Sequence, residues 1–225
     1  MRFLVLVPVL FAACGASPAT PEEKPREATI LDFGTTWVYA DPNGKEYTCR
    51  IEGPMAVEGM PCVAVRGANV GISLMRWHSA DVTYWSLSES GEVQVHAVGE
   101  GESRLIARSP VAAYKKGAER GHSWEARFYA IDPKTGVEDT ASCKFICGGR
   151  KTIGLPVGEF QTYYVVEEWR FAGQVQVRVE NWWEEKLGII QQVYHRVDAD
   201  GHDRETLHLV LKTKLVVKNI PRKNP

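Results

Sequence analysis

The chain has 225 residues, of which 44% are hydrophobic, a composition typical of a globular protein. Its 27 Lys and Arg residues and 28 Asp and Glu residues leave a formal net charge of −1. Because no basic stripe accompanies this balance, nucleic acid is excluded as the expected partner. Beyond the first residues, no apolar run is long enough to predict a membrane-spanning helix.

The N-terminus has the pattern of an export signal, which we predict for residues 1–13. Arg2 supplies one positive charge, and an unbroken apolar run extends from Phe3 to Ala13. As a helix this run would rise only about 16 Å, too little to cross a hydrocarbon core of about 30 Å. The segment is therefore predicted to be a signal peptide and not a transmembrane anchor.

The end of this run, from Leu10 to Cys14, reads Leu-Phe-Ala-Ala-Cys and resembles the bacterial lipobox. The resemblance implies that Cys14 becomes the mature N-terminus and carries acyl chains, palmitate among them, that bind a membrane. The alternative is an ordinary signal peptide that happens to contain a cysteine. The residue directly after the cysteine is Gly15 and not the Asp that is associated in some bacteria with inner-membrane retention. We therefore expect an outer-membrane lipoprotein that faces the periplasm.

The rest of the chain divides into a tether, one domain and a tail. Residues 14–29 combine the lipidated cysteine with prolines, small residues and clustered charges, which predicts a flexible tether. Residues 30–217 carry regular strand patterns without linker-like composition between them, which predicts a single domain. Residues 218–225 are predicted to be a short C-terminal tail.

Alternation of apolar and polar residues, the period of a β-strand, dominates the domain. Apolar side chains occupy the odd positions of 175–179 and 207–211, whereas Gln174, Gln176 and Arg178 occupy even positions. Each such strand has one apolar and one wet face, as in antiparallel sheets. The apolar sets are expected to share the concave face of the sheet with several tryptophans.

Hairpin-turn sequences separate the strands, for example at 41–44, 132–136 and 198–201, and their spacing predicts an all-β antiparallel meander of about ten strands. A Gly-x-x-Trp pattern at 34–37 recurs at 121–124, which predicts two similar halves. The best helical candidate runs from Ser103 to Glu119 and is interrupted by proline and glycine, so it is equally compatible with a connection.

Four segments within residues 30–217 resemble a family of exported half-barrel proteins of uncharacterised function. They are Gly34-x-x-Trp37-x-Tyr39, Gly121-x-x-Trp124, the hairpin from Leu155 to Tyr163, and Trp182-Trp183 followed by Leu187 to Ile190. These proteins have a curved antiparallel sheet similar to that of the lipoprotein carriers LolA and LolB. The resemblance therefore implies a half-barrel and a location in the cell envelope, and it supplies no catalytic residues.

Apart from Cys14, four cysteines remain: Cys49, Cys62, Cys143 and Cys147. An exported chain meets an oxidising compartment, so at least one disulfide is predicted among them, with three possible sets of pairs. Within one strand, Cys143 and Cys147 would lie about 13 Å apart, so pairing them requires a turn or bulge. Cys49 and Cys62 could pair across two neighbouring strands.

No constellation of catalytic or metal-binding residues stands out, so no catalytic residue, metal or cofactor is predicted. The sequence lacks a nucleophile elbow and a phosphate loop. Its six histidines show no metal-binding spacing, and His96 and His208 fall on polar strand faces, where we expect solvent-exposed side chains. The acidic run from Asp198 to Glu205 is flanked by strands, which favours a hairpin turn over a calcium loop.

Seven tryptophans are many for this length, and they are the most suggestive residues of the chain. The candidates to line an apolar cavity on the concave face are Trp77, Trp85, Trp169 and Trp182. The alternative is that the tryptophans form an ordinary core. Trp37 and Trp124 each open a strand just after a turn glycine and are expected to be core residues.

Three functions are therefore considered. A lipid-anchored half-barrel could bind a lipid or another apolar ligand in its concave face, or it could dock onto another envelope protein. An enzyme is least favoured, because no catalytic motif is present. An unfilled apolar cavity would favour the first function, and a packed interior with an exposed apolar patch the second. A buried cluster of titratable groups in a cleft would favour the third.

Overall fold

The structure is a computed structural model that describes residues 31–67, 82–101, 104–131 and 138–215. Twelve strands lie in these ranges: β1 (Thr36–Ala40), β2 (Glu46–Val57), β3 (Met60–Arg66), β4 (Val82–Leu87), β5 (Val93–Val98), β6 (Leu105–Ala112), β7 (Ser123–Ile131), β8 (Glu138–Leu155), β9 (Gly158–Phe171), β10 (Gln174–Glu184), β11 (Gly188–Val197) and β12 (Asp203–Leu215). Among the residues described, no helix is long and apolar enough to cross a membrane.

The twelve strands form a closed antiparallel barrel. Each strand pairs with its neighbours in chain order, and β1 also pairs with β12, for example through Trp37 and Lys214. The predicted all-β antiparallel meander is confirmed. The half-barrel is corrected to a closed barrel, and about ten strands to twelve. Closure has a physical reason, because a sheet left open between β1 and β12 would have the backbone groups of these two strands unpaired at its edges.

The two faces of the strands follow the predicted alternation. Val177 and Val179 of β10 are buried in the barrel core, as are Leu209 and Leu211 of β12. On the opposite face of β10, Arg178 forms ion pairs with neighbouring carboxylates. The side that the sequence predicts to exclude water is therefore the barrel interior.

A second, smaller core lies on the outer face of the sheet. Val63 and Val65 of β3 contact the main core, so Cys62 and Ala64 point outwards. They pack in a separate cluster with residues of β2, β4 and β5: Val57, Val82, Tyr84 and Ala97. At the tip of the β2–β3 hairpin, Glu58 accepts a hydrogen bond from the hydroxyl of Tyr129 in β7. The hairpin therefore folds over the outside of the intervening strands.

The helical candidate between Ser103 and Glu119 is wrong, because Leu105–Ala112 forms strand β6. Strand β6 pairs with β5 and, over Ile106 and Ala107 only, with β7. Pro110 contributes to this short ladder, since proline has no backbone N–H to donate. The loop that follows β6 returns to the interior at Tyr114, which is fully buried.

The predicted repeat has a structural counterpart. Trp37 is the second residue of β1 and Trp124 is the second residue of β7, so each tryptophan opens a run of six strands. Gly34 and Gly121, which precede them by three residues, have φ angles of 83° and 88°. This left-handed conformation favours glycine, which explains why the pattern pairs a glycine with each tryptophan.

We expect Gly148→Ala to lower the free energy of unfolding by about 1–3 kcal/mol, as overpacking of a core does. A methyl group at Gly148 would overlap Cδ1 of Tyr164 and lie 2.6 Å from Cε1. The tyrosine ring cannot easily move, because it packs on Trp182 and its hydroxyl donates to Glu180. Thermal unfolding measures the change.

The matched control is Gly154→Ala in the same strand, where a methyl group meets no atom within 4 Å. This variant should unfold at or slightly above the temperature of the parent, because alanine restricts the unfolded chain. Equal unfolding temperatures for the two variants would contradict the close packing around Gly148.

Candidate functional site

The barrel interior holds a small cavity of about 20 Å³. Its lining is mainly aromatic and aliphatic: Thr83, Trp85, Val95, Val98, Ala113, Phe145, Glu167, Trp169, Trp183, Ile189 and Gln192. Of the four tryptophans chosen from the sequence, Trp85 and Trp169 line this cavity. Trp182 does not line it, and Trp77 lies outside the described residues.

Trp183, which the sequence analysis did not choose, lines the cavity in place of Trp182. Trp182 is on the other face of β10, where its ring packs 4.8 Å from the ring of Tyr164. The alternation of residues in the sequence already indicated that Trp183 lies on the interior face. Extending the alternation of Val177 and Val179 by four residues leads to Trp183, which is 2% exposed.

Stacked aromatic rings fill most of the space beside the cavity. Tyr114 reaches in from the loop after β6 and lies 5.2 Å from the ring of Tyr163 and 5.4 Å from that of Trp183. Trp183 in turn lies 5.6 Å from Trp85. Trp37 is 2% exposed and is a core residue, as expected. Trp124, also expected in the core, is only partly buried and packs on Phe145 at the edge of the core.

A chain of polar side chains crosses this aromatic interior from β9 to β11. Asn181 donates to Oε1 of Glu167 at 2.8 Å, and Trp169 donates to Oε2 of Glu167 at 3.0 Å. Gln192 donates to Asn181 at 2.7 Å and accepts from the hydroxyl of Tyr194 at 3.0 Å. Sequence reasoning missed this chain, although Glu167 lies at an odd position between Val165 and Trp169, both of which are interior.

Glu167 is the only ionisable side chain among the residues that line the cavity. Protein atoms surround its carboxyl group, and burial raises its pKa to about 7, although the hydrogen bond from Trp169 opposes the rise. As a whole residue Glu167 is half-buried, and it lines the cavity. Glu167 has no second titratable side chain beside it in this lining, so the described lining contains no acid–base pair.

Two polar atoms of the lining residues lack a protein partner. The indole N–H groups of Trp85 and Trp183 are buried and donate to no atom of the described chain. A buried donor without an acceptor costs about 1–3 kcal/mol, so such groups are uncommon in native proteins.

An apolar patch lies on the outer surface near the first described residues. We name it the hairpin patch, and it consists of Phe33, Met55 and Met60, which are 53%, 48% and 36% exposed. Phe33 lies over Gly53 of β2, where a methyl group would come within 3.4 Å of its ring. Met55 is two residues further along β2, and Met60 is diagonal to it across the β2–β3 ladder. The three side chains are therefore neighbours.

The predicted disulfides do not form in this structure, although Cys49, Cys62, Cys143 and Cys147 are all buried. Cys49 and Cys62 occupy neighbouring strands in different registers, since Met55 is the partner of Cys62. Cys143 and Cys147 lie four residues apart on β8, and the glycine bulge that follows Cys147 does not bring them together. Cys14 lies outside the described residues.

The turn between β11 and β12 is a hairpin turn, as expected from its sequence. The Asp198 carboxylate accepts backbone N–H groups of Asp200 and His202, at 3.1 and 2.9 Å. Both hydrogen bonds lower the pKa of Asp198, and the bond from the backbone N–H of His202 has the larger effect. The side chains of the three residues come close together but are largely exposed, and their geometry is explained by the turn.

The prediction of a solvent-exposed His96 is wrong. His96 is 4% exposed, and its Nε2 atom lies 2.7 Å from the Ser86 hydroxyl. Burial lowers the pKa of His96, which favours the neutral imidazole. His208 is half-buried, on the polar face of β12.

A larger depression of about 450 Å³ lies on the outer surface where β6 to β10 meet. Arg108, Arg127 and Arg170 contribute to its lining, together with Glu125. Arg108 pairs with Glu138, and Arg170 pairs with Glu168 at 2.9 Å. Because acidic groups compensate most of this positive charge, the depression is not a strongly basic site.

No protein-family model and no curated protein matches the chain. Solved structures similar to it include a chain from Parabacteroides distasonis, provisionally assigned as a lipoprotein, with 13% identity and a TM-score of 0.39 over 83% of this chain and 97% of that one. An exported protein from Bacteroides fragilis with a YmcC-like fold, also provisionally assigned, has 12% identity and a TM-score of 0.45 over 84% and 98%. The hypothetical lipoprotein YmcC from Escherichia coli has 10% identity and a TM-score of 0.40 over 83% and 90%. Likeness at this level assigns no function.

We expect the stability of the protein to fall as the pH rises from about 4.5 to about 7, and Glu167→Gln to remove most of this fall. The pKa of Glu167 rises from 4.5 to about 7 on folding, so the folded protein holds a proton in this range that the unfolded chain releases. A shift of this size corresponds to roughly 3 kcal/mol. Chemical denaturation at pH 5 and pH 8 measures the difference in free energy of unfolding.

The control for this experiment is Glu159→Gln on the same strand, because Glu159 is exposed. It should show the same difference between pH 5 and pH 8 as the parent. If Glu167→Gln and Glu159→Gln both keep the parental difference, Glu167 is ionised in the folded protein without cost and the assigned cause is wrong.

Proposed function

We propose that the protein is a non-enzymatic lipoprotein of the bacterial cell envelope that acts through the outer surface of its barrel. Acyl chains on Cys14 attach it to the outer membrane, and residues 14–29 tether the barrel in the periplasm. The observation that carries the proposal is the filled interior, because it leaves the outer surface as the place for contacts.

The filled interior argues against an apolar ligand as large as a lipid. Sites for small molecules usually measure about 300–1,000 Å³. The interior cavity measures about 20 Å³, and the rings of Tyr114, Trp85 and Trp183 occupy the space around it. Trp85 and Trp169, the two residues of the predicted ligand-binding set that reach the interior, are therefore better explained as part of the barrel core.

The hairpin patch supports a protein as the docking partner. Its two methionines are unbranched and adaptable, a property common at protein-binding surfaces. The patch lies beside the point where the tether joins the barrel, so the partner is expected close to the membrane. The hairpin tip carries Glu58, and acidic side chains are unfavourable against a bilayer rich in anionic lipids. These features favour an envelope protein over the bilayer itself.

We expect Cys14→Ser to abolish acylation and cleavage of the signal peptide. Serine has no thiol to receive the lipid, so the variant should remain an uncut precursor. Metabolic labelling with a palmitate analogue and gel mobility measure the two effects. A Cys14→Ser protein of mature size in the membrane fraction would contradict lipid anchoring without touching the docking proposal.

Docking can be tested with a photoreactive amino acid placed at Met55 in the full-length protein within its own envelope. We expect one protein adduct of defined mass. Phe33→Ser and Met60→Ser, combined in this protein, should reduce the adduct at least tenfold because they remove the apolar neighbours. Thermal unfolding confirms that the combined variant is folded.

The matched control places the photoreactive group at Val157, an exposed apolar residue on the turn between β8 and β9. It should give no such adduct. Adducts with lipid alone at Met55 would assign the patch to the bilayer and overturn protein docking. Equal adducts at both positions, or adducts that survive the double substitution, would show that the patch is not specific.

A further inference from the structure

The indole N–H groups of Trp85 and Trp183 differ from those of Trp37, Trp124 and Trp169, which donate to protein oxygens. Trp37 donates to the carbonyl of Leu187 at 2.5 Å, and Trp124 donates to that of Ala112 at 2.7 Å. The N–H groups of Trp85 and Trp183 are as deeply buried, yet they meet no acceptor in the described chain. Native proteins rarely bury a donor in this way unless something other than protein accepts its hydrogen bond.

Both residues line the same cavity, and their ring centroids are only 5.6 Å apart. The cavity of about 20 Å³ is just large enough for one water-sized particle, since about 10–15 Å³ suffices for a water molecule. Internal water usually requires two to four polar partners, and Thr83, Glu167 and Gln192 join the two indoles in the lining.

The donors define the chemistry of the occupant. An indole N–H can only donate, so the occupant must accept hydrogen bonds, which excludes a metal cation or an ammonium ion. We propose that the cavity is a binding site for one small hydrogen-bond acceptor, held by the indoles of Trp85 and Trp183. A water molecule fits best, because it accepts from both indoles and donates to Glu167. A halide ion can also accept hydrogen bonds from both indoles, but it has no proton to donate to Glu167.

This site is independent of lipid anchoring and of docking at the hairpin patch. It joins β4 to β10 and, through Glu167, to β9, so the occupant completes the hydrogen bonds across the barrel. The bound molecule also extends, at Glu167, the hydrogen-bonded chain of side chains that continues through Asn181 and Gln192.

Nuclear magnetic resonance of the mature protein, labelled with 15N-tryptophan and held in detergent micelles, tests the proposal. We expect cross-relaxation between water and the indole protons of Trp85 and Trp183. Its sign should be that of a water molecule whose residence time exceeds the rotational correlation time of the protein. Trp37 and Trp124 are the internal controls, and their indole protons should show none. Trp85→Phe and Trp183→Phe assign the two resonances, because each should remove one.

A titration that replaces chloride with bromide separates the two occupants. With water bound, no indole resonance shifts, whereas a halide would shift those of Trp85 and Trp183 and leave those of Trp37 and Trp124 in place. Absence of both bound-water cross-relaxation and halide-dependent shifts at Trp85 and Trp183 would overturn the site.

Discussion

Filling a twelve-stranded barrel is the constraint on which the rest of this structure depends. Eight strands already enclose about as much space as ordinary side chains can fill, so a larger barrel needs larger contents or it leaves a lumen. This chain uses stacked aromatic rings, and the loop after β6 adds Tyr114 from outside the strands. Among the residues described, the result is a packed interior around a small cavity, in which the polar groups mostly bond to one another.

Because side chains fill the interior, contacts with other molecules are expected on the outer surface of the barrel. The described side chains leave an interior cavity of about 20 Å³, which is far smaller than the volume of about 300–1,000 Å³ typical of small-molecule sites. The outer face offers two kinds of apolar surface: the cluster beneath the β2–β3 hairpin, which is buried, and the hairpin patch, which is exposed. Contiguous exposed apolar patches are typical of contact sites, whereas single exposed apolar side chains need no explanation.

Local periodicity in the sequence predicted much of this fold, but it could not predict the pairing of strands that lie far apart in sequence. The alternation around Val177 and Leu209 correctly placed their faces, and it also contained the position of Trp183. Closure of the barrel depends on β1 meeting β12, which no local pattern encodes. The run after Ser103 failed as a helix because pairing with β5 outweighs its local preference. The interior role of Glu167 was equally readable, but a carboxyl group in an apolar interior runs against the usual rule that charged residues stay outside.

The pairing of the first strand with the last has a consequence for the order of events during folding. Contacts between residues far apart in sequence form slowly, because a long loop must close before any gain is realised. Thr36 cannot meet Leu215 until nearly the whole domain is present in one compartment. A chain that crosses a membrane N-terminus first must therefore wait, with β1 unpaired on one side, until β12 arrives. For a chain exported in this way, the unpaired edge of β1 is vulnerable during that interval. The speed of translocation would then matter as much as the stability of the finished barrel for how much protein escapes proteolysis and aggregation.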